Sequence, residues 1–295
     1  MERESKIKVY PFYFLIPALV IYTVLFIIPS FIGFGFSLTN WNSMGSAMKF
    51  IGLDNFKEIF ISNKTYMLFI LNTLIFAVVT TIMKNIVGLL LALFFNEGLK
   101  TKQLLRTVFF LPVALSPLII GLIFVSILNP VTGLLNSTLR VIGVGILEQQ
   151  WLVDPKTAML SVIGVEVWRL AGFNMAIYLA GLQMIPKSFY ESASIDGAGV
   201  WRKFINITFP YLLPAITINM ILNLIQGLKV FDLIYVLTKG GPGNTTGVLN
   251  TAVFEEFSSG RYGMGTAVGV VIFLLTSLTA YSALKLMRRG EAEVL

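Results

Sequence analysis

Ile185-Pro186-Lys187-Ser188-Phe189-Tyr190-Glu191-Ser192-Ala193-Ser194-Ile195-Asp196-Gly197-Ala198-Gly199-Val200-Trp201-Arg202-Lys203-Phe204-Ile205-Asn206-Ile207-Thr208-Phe209-Pro210-Tyr211-Leu212-Leu213-Pro214 is the stretch around which the rest of the chain arranges itself. Pro186 and Ser188 are start signals for a short helix. Gly197 and Gly199 can end it and turn the chain. A second short helix then carries Trp201, Phe204 and Ile207 at i, i+3, i+6, an apolar face. Pro210 and Pro214 are expected to stop it and to open a longer apolar helix. Such a helix–turn–helix suits docking into another protein's groove. An amphipathic linker lying on a membrane surface has the same pattern.

Outward from that loop the chain is a series of apolar blocks. Of 295 residues 56% are hydrophobic and 13% charged, against about 25% charged in a soluble domain. Mean hydropathy is +0.82. The blocks reach the roughly 20 residues a helix needs to cross a bilayer. Six spans are expected, over 12–38, 67–95, 104–128, 157–182, 211–237 and 265–287. The first is too long for a signal peptide, and no small-x-small cleavage site follows it. The fold class is therefore all-α, a polytopic membrane helical bundle.

Lys and Arg orient it. With the N-terminus inside, the inner segments are 1–11, 96–103 with Arg106, 183–210, and 288–295 with Lys285. They hold twelve of the 22 basic residues, and the longer outer loops hold seven. Both termini are expected in the cytoplasm. The net charge of +7 reads as this loop bias rather than as a nucleic-acid surface. Tyr10, Trp41, Tyr66, Trp151 and Tyr262 flank the spans as interface anchors. The run Gly240-Gly241-Pro242-Gly243 must be irregular backbone.

Several chemistries have no residues to run them. Cysteine and histidine are both absent, which removes disulfides, thiolate metal sites and the usual general base. No G-x-x-x-x-G-K-[ST] phosphate loop occurs, so energy has to come from a partner or an ion gradient. No enzyme site, metal site or resident cofactor is expected.

The spacing Glu191-x-Ala193-x-x-Asp196-Gly197-Ala198, then Trp201-x-x-Phe204-x-x-Ile207-x-x-Pro210-x-Leu212-x-Pro214, resembles the EAA loop of binding-protein-dependent ABC importer permeases. Two positions depart from it: Ser192 stands for the first Ala, and Phe209 for the Leu before the Pro. Phe50-Ile51-Gly52-Leu53-Asp54-Asn55-Phe56, Trp151-Leu152-Val153-Asp154-Pro155-Lys156-Thr157-Ala158, and Phe231 through Thr238-Lys239-Gly240-Gly241-Pro242 are similar to segments of the carbohydrate branch, the maltose, oligosaccharide and glycerol-phosphate permeases. The resemblance implies a type I importer core and one half of a sugar pathway. It implies a second homologous permease, an ABC ATPase dimer that binds ATP and Mg²⁺, an extracytoplasmic solute-binding protein and a bacterial or archaeal inner membrane. It places ATPase coupling on Glu191, Ala193, Asp196, Gly197, Ala198 and Phe204, with Glu191 in contact and Gly197 at the turn. The implied division is a tail and accessory helix over 1–40, an outer loop over 41–66, a five-helix core over 67–287 with the coupling loop 183–210, and a tail over 288–295.

Candidate pathway residues come from the spans themselves. Glu166 and Arg169 are i, i+3 on the fourth, and Lys229 and Asp232 are i, i+3 on the fifth. Each pair can neutralise itself along one helix face, by snorkelling or interhelical pairing, or can line a pathway. Asn219, Asn223 and Gln226 form a stripe at i, i+4, i+7 that suits interhelical hydrogen bonds or a neutral polyol. Phe231 and Tyr235 offer faces for a sugar ring. Gly265-x-x-x-Gly269 permits close helix contact. The alternative reading is an ion-coupled secondary carrier, with Glu166, Arg169, Lys229 and Asp232 as its relay.

Overall fold

Lys64–Asn96 is a helix of 33 residues, about 50 Å long and more than enough to cross a bilayer. It is α2 of a structure, a computed structural model, that describes residues 12–45, 47–96 and 101–294. Before it comes α1 (Tyr13–Phe36), and after it α3 (Lys102–Ala114) and α4 (Pro117–Ile127). Then follow α5 (Leu134–Val141), α6 (Ala158–Gln183), α7 (Lys187–Ile195) and α8 (Val200–Leu228). The last are α9 (Asp232–Thr238), α10 (Leu249–Ser258) and α11 (Tyr262–Val294). Among the described residues there is no strand, only an isolated bridge between Thr39 and Phe50. Five of the described helices are long and apolar enough to span, and α3 with α4 make a sixth if counted as one. The basic residues Arg3, Lys6, Lys8 and Lys100 of the inner segments lie outside the described residues.

Because the spans alternate in direction, residues 37–63, 129–157 and 229–261 share one end of the bundle, called here the far end. Residues 184–199 lie at the near end. At the far end the backbone is tied across long sequence distances. Ser43 N–H donates to Gly260 O at 2.8 Å and Gly263 N–H to Trp41 O at 2.9 Å. Asn55, buried, donates to Ser37 O and Thr39 O at 2.8 and 3.0 Å. The Phe-x-Gly-Leu-x-Asn-Phe segment thus clasps the exit of α1 to the start of α11. α1 has no buried residue in its most apolar stretch and touches the bundle through its second half, residues 28–36, against α11. Its Phe34 meets Phe273 of α11 edge-on at 5.7 Å.

The centre is α2, α6 and α8 packed together, with α3 on α6 and α11 on α8. Lipid is as apolar as Leu, so such packing rests on close approach rather than on the hydrophobic effect. Glycine permits it. A Cβ on Gly227 of α8 would stand 2.6 Å from Ala77 Cα of α2. A Cβ on Gly88 of α2 would meet Asn174 of α6, and one on Gly172 of α6 would meet the Phe109 carbonyl of α3. The Gly265-x-x-x-Gly269 pattern does something else. A Cβ on Gly265 would meet the Phe257 ring of α10, and one on Gly269 would meet nothing within 4 Å.

Three expected spans differ. The third is not straight: α3 and α4 meet at 100°. Ser116 precedes Pro117 and is therefore extended (ψ 138°), which breaks the helix, and its hydroxyl caps Leu118 N–H. The fifth runs on without a stop from Val200, through Pro210 and Pro214. A wide turn at Phe204–Thr208, closed by Phe209 N–H on Phe204 O, shifts the hydrogen-bond register just before Pro210, whose missing N–H then leaves no gap. It also ends early, at Leu228, because Phe231 adopts φ −144°, ψ −65°, and α9 restarts the chain in a new direction. The sixth begins at Tyr262, three residues before the expected start.

Candidate functional site

At the near end, α7 and α8 are joined by Asp196–Gly199. The turn is a Schellman motif: Gly197 is left-handed (φ +73°), Gly197 N–H donates to Ser194 O at 3.1 Å, and Ala198 N–H donates to Ala193 O at 2.8 Å. Glycine is required there because a side chain is strained at that φ. The two arms are cross-linked by Tyr190 Oη to Thr208 Oγ1 at 2.9 Å and by Lys203 Nζ to Ser194 Oγ at 2.7 Å. Glu191, Asp196 and Gly197 are exposed, and Ala193, Ala198 and Phe204 are half-buried. Ile207 packs inward beside Tyr190. What projects is apolar: Ile195, Val200 and Trp201 are exposed by 87, 88 and 73%, and Trp201 stacks on Phe204 at 5.8 Å. The expected apolar stripe is therefore divided, with Phe204 and Ile207 turned toward the chain and Trp201 away from it.

Inside the bundle the charged pair of α6 acquires a third member. Arg169 donates Nε and Nη2 to the two Glu166 carboxylate oxygens, each at 3.0 Å. Lys84 of α2 brings Nζ to 3.8 Å from Glu166 Oε1. The Lys84 side chain is fully buried, Glu166 is 4% exposed and Arg169 16%. Lys84 Nζ makes no hydrogen bond. Two cations share one carboxylate, a net +1 where charge is costly.

Below the triad lies a knot of amides. Asn174 of α6 donates to Leu170 O at 3.0 Å and receives a donated bond from Asn223 of α8. Asn219 donates to Asn174 O at 3.3 Å and Asn223 to Asn219 O at 2.8 Å. Tyr178 of α6 donates its hydroxyl to Asn85 of α2. Asn174, Asn219 and Asn223 are all 0% exposed. Gln226, one turn on, is exposed.

At the far end, the break after Leu228 separates Lys229 from Asp232. Both are exposed and no ion pair forms between them, because no single helix carries both. Phe231 stacks on Tyr235 at 5.2 Å, and Phe254 of α10 closes the group at 5.4 and 4.9 Å. A cavity of about 540 Å³ opens here, lined by Lys229, Phe231, Asn250, Phe254 and Phe257 among others. It combines aromatic faces, an amide and an ammonium, a set able to hold a hydroxylated ring.

Sequence reading did not assign Lys84, Asn85, Asn174, Tyr178, Asn250 or Phe254. One signal was present: Thr73, Thr80, Thr81, Lys84 and Asn85 recur at helical spacing in an otherwise apolar helix, and all are buried. Nothing comparable marks Phe254.

Residues 84–290 match the family described as binding-protein-dependent transport system inner membrane component. A probable ABC transporter permease protein of Bacillus subtilis is 36% identical over 97% of this chain and 98% of its own length. The trehalose/maltose transport system permease protein of Thermococcus litoralis is 34% identical, over 92% of this chain and 90% of its own. The multiple sugar-binding transport system permease protein of Streptococcus mutans is 33% identical, over 98 and 99%. Among solved structures, a chain of a bacterial ABC transporter that imports the acidic polysaccharide alginate superposes with a TM-score of 0.81. That chain is 26% identical, with 94% of each chain covered.

Proposed function

Since this chain belongs to the binding-protein-dependent transport system inner membrane components, we propose that it forms half of the translocation pathway of an ATP-driven sugar importer. A second permease of the same kind supplies the other half. ATP and Mg²⁺ are bound by a separate ATPase dimer, and an external solute-binding protein delivers the sugar. Both termini lie on the cytoplasmic side, in keeping with the basic inner loops. The near end then faces the ATPases.

The single observation that carries the coupling role is the projecting turn. Ile195, Val200 and Trp201 stand out by 87, 88 and 73% on a rigid, capped helix–turn–helix, beside the exposed Glu191. Apolar anchors at the centre of a small knob are what a cleft in another protein binds. Relatives whose names speak of trehalose, maltose and multiple sugars support the substrate class, as does the aromatic cavity at the break in the fifth span. Gln226, Lys229, Phe231 and Asp232 are the pathway residues at that level. Glu166, Arg169, Asn219 and Asn223 hold the wall in shape behind them.

The test is recovery of partners. A tagged chain, solubilised gently from its native membrane, should bring down an ABC ATPase and a second permease. Gly197→Pro should still insert and keep the permease but lose the ATPase. A chain that purifies alone, with uptake abolished by a protonophore while ATP is held constant, would move the assignment to an ion-coupled carrier.

A further inference from the structure

Residues 129–157 link α4 to α6 at the far end, and their surface is unlike that of a loop in water. Val131, Leu134, Val141, Ile142, Ile146 and Leu147 are all exposed, Val141 by 87% and Ile146 by 92%. On α5 these side chains share a face. At about 100° per residue, Leu134, Val141 and Ile142 fall within an arc of about 100°. The polar residue on that arc is Thr138, and its hydroxyl donates to Leu134 O at 2.8 Å, so it needs no water. The opposite face is turned into the protein. Asn136 is 2% exposed, donates to Pro130 O and Gln149 O, each at 3.0 Å, and accepts from Trp151 Nε1 at 2.8 Å.

Charge is equally unusual here. Arg140 and Glu148 are the charged residues between Asn129 and Gln150, and they pair with each other at 2.9 Å. The surface is therefore neutral as well as apolar. A protein partner that docks from water is steered and oriented by charge, and this surface offers none. Its position favours a different partner. α4 ends at Ile127 and α6 starts at Ala158, so both ends of the segment emerge directly from apolar spans, and α5 begins seven residues beyond α4. Leu122 of α4 and Leu160 of α6 are themselves exposed, by 64 and 66%, and carry the apolar surface on into the membrane-spanning part.

We infer that α5 and the turn after it, residues 131–147, lie in the far-side leaflet of the bilayer as an interfacial anchor. The acyl chains of lipid cover Leu134, Val141, Ile142 and Ile146. The neutralised Arg140–Glu148 pair sits at headgroup level, and Asn136 and Trp151 hold the anchor on the bundle. This needs only that the bundle crosses a membrane, and it is independent of which solute is carried. An amphipathic helix of this kind gains its hold from buried apolar area.

The chain has no cysteine, so single-site labelling is direct. Val141→Cys and Ile146→Cys would be made in the full chain, within its complex in native membranes, with Lys57→Cys as a water-exposed reference. Both anchor sites should react with a charged, membrane-impermeant maleimide at least tenfold more slowly than the reference, and all three at equal rates in SDS. Nitroxides at the two sites should collide freely with oxygen and poorly with a water-soluble nickel chelate. Labelling as fast as at the reference would overturn the inference. So would nitroxides shielded from both oxygen and nickel, since that places the sites inside a protein interface. Shielding that appears only when the solute-binding protein is added would overturn it too.

Discussion

Removing the Glu166 charge should damage this protein far more than removing Lys84, although the two belong to one cluster. In Glu166→Gln, the Lys84 ammonium keeps its fully buried position and loses its counter-charge at 3.8 Å, while Arg169 loses a two-pronged acceptor at 3.0 Å. Breaking a buried pair from one side costs about 3–5 kcal/mol. An upper bound follows from acid–base chemistry. The lysine can escape by giving up its proton. From an ordinary pKa of about 10.4, that costs about 4.6 kcal/mol at pH 7, at about 1.36 kcal/mol for each tenfold. The lysine's share is thus at most about 4.6 kcal/mol, and the expected loss for the variant is about 3–5 kcal/mol. Lys84→Met works the other way. It leaves the Glu166–Arg169 pair whole and takes the cluster from +1 to neutral, in a volume Met can fill. Its cost should stay below about 1 kcal/mol, in the range of single polar contacts in membranes. Combining Lys84→Met with Glu166→Gln should recover at least half of the single loss, because only Arg169, which reaches the surface, is left unpaired. Thermal unfolding of the detergent-solubilised complex, together with its abundance in the membrane, reads all three variants. Lys84→Met as harmful as Glu166→Gln, or a double variant no better than Glu166→Gln, would falsify the one-carboxylate, two-cation account.

Four further outcomes are expected. Gly227→Val drives a side chain into Ala77 across the α2–α8 contact, so the complex should lose about 1–3 kcal/mol and fall in abundance, whereas Gly269→Ala, in open space, should leave the melting temperature unchanged. Asn223→Leu unties the amide knot and should lower stability by about 1–2 kcal/mol without moving the KM for sugar uptake, and a raised KM at normal stability would place Asn223 on the solute instead. Phe254→Ala removes one wall of the aromatic cavity and should raise KM up to about tenfold, the effect of roughly 1.4 kcal/mol, with little change in the melting temperature. Burial, helped by the neighbouring Glu256 carboxylate, pushes the Glu255 carboxyl above its usual pKa. Its folded-state proton is therefore held more tightly than in the unfolded chain, and the ionised form opposes folding as pH rises. Glu255→Gln should raise the melting temperature at pH 7 and make no difference at pH 3.

The spans and the near-end turn were legible because each is written locally. A run of apolar residues states its own length, and Gly197 and Gly199 between two short periodic stretches state a turn. The pairing of Glu166 with Arg169 was legible for the same reason, as i, i+3 neighbours on one helix. Lys84 was not, since its partner lies 82 residues away and only the packing of α2 on α6 brings them together. The stripe Asn219, Asn223, Gln226 was real as a helical face but did not share one environment. Two of its members meet Asn174, and the third passes beyond it. Prolines misled in both directions. Pro210 was expected to stop a helix and sits instead after a widened turn that has no use for its N–H. Pro117 lay inside an expected span and bends it by 100°. The same residue type breaks or is tolerated according to what the preceding turn does, and that is decided by tertiary packing.

The uninterrupted passage of α8 from the projecting turn into the bundle has a mechanical side. From Val200 to Leu228 it is a rod of 29 residues, about 43 Å at about 1.5 Å per residue. If one end pivots by about 5°, the other sweeps an arc of nearly 4 Å, about the thickness of an aromatic ring. A small rotation at the projecting turn therefore reaches the Lys229 break as a displacement of about that size. No relay of side chains has to carry it, and its amplitude is set by leverage.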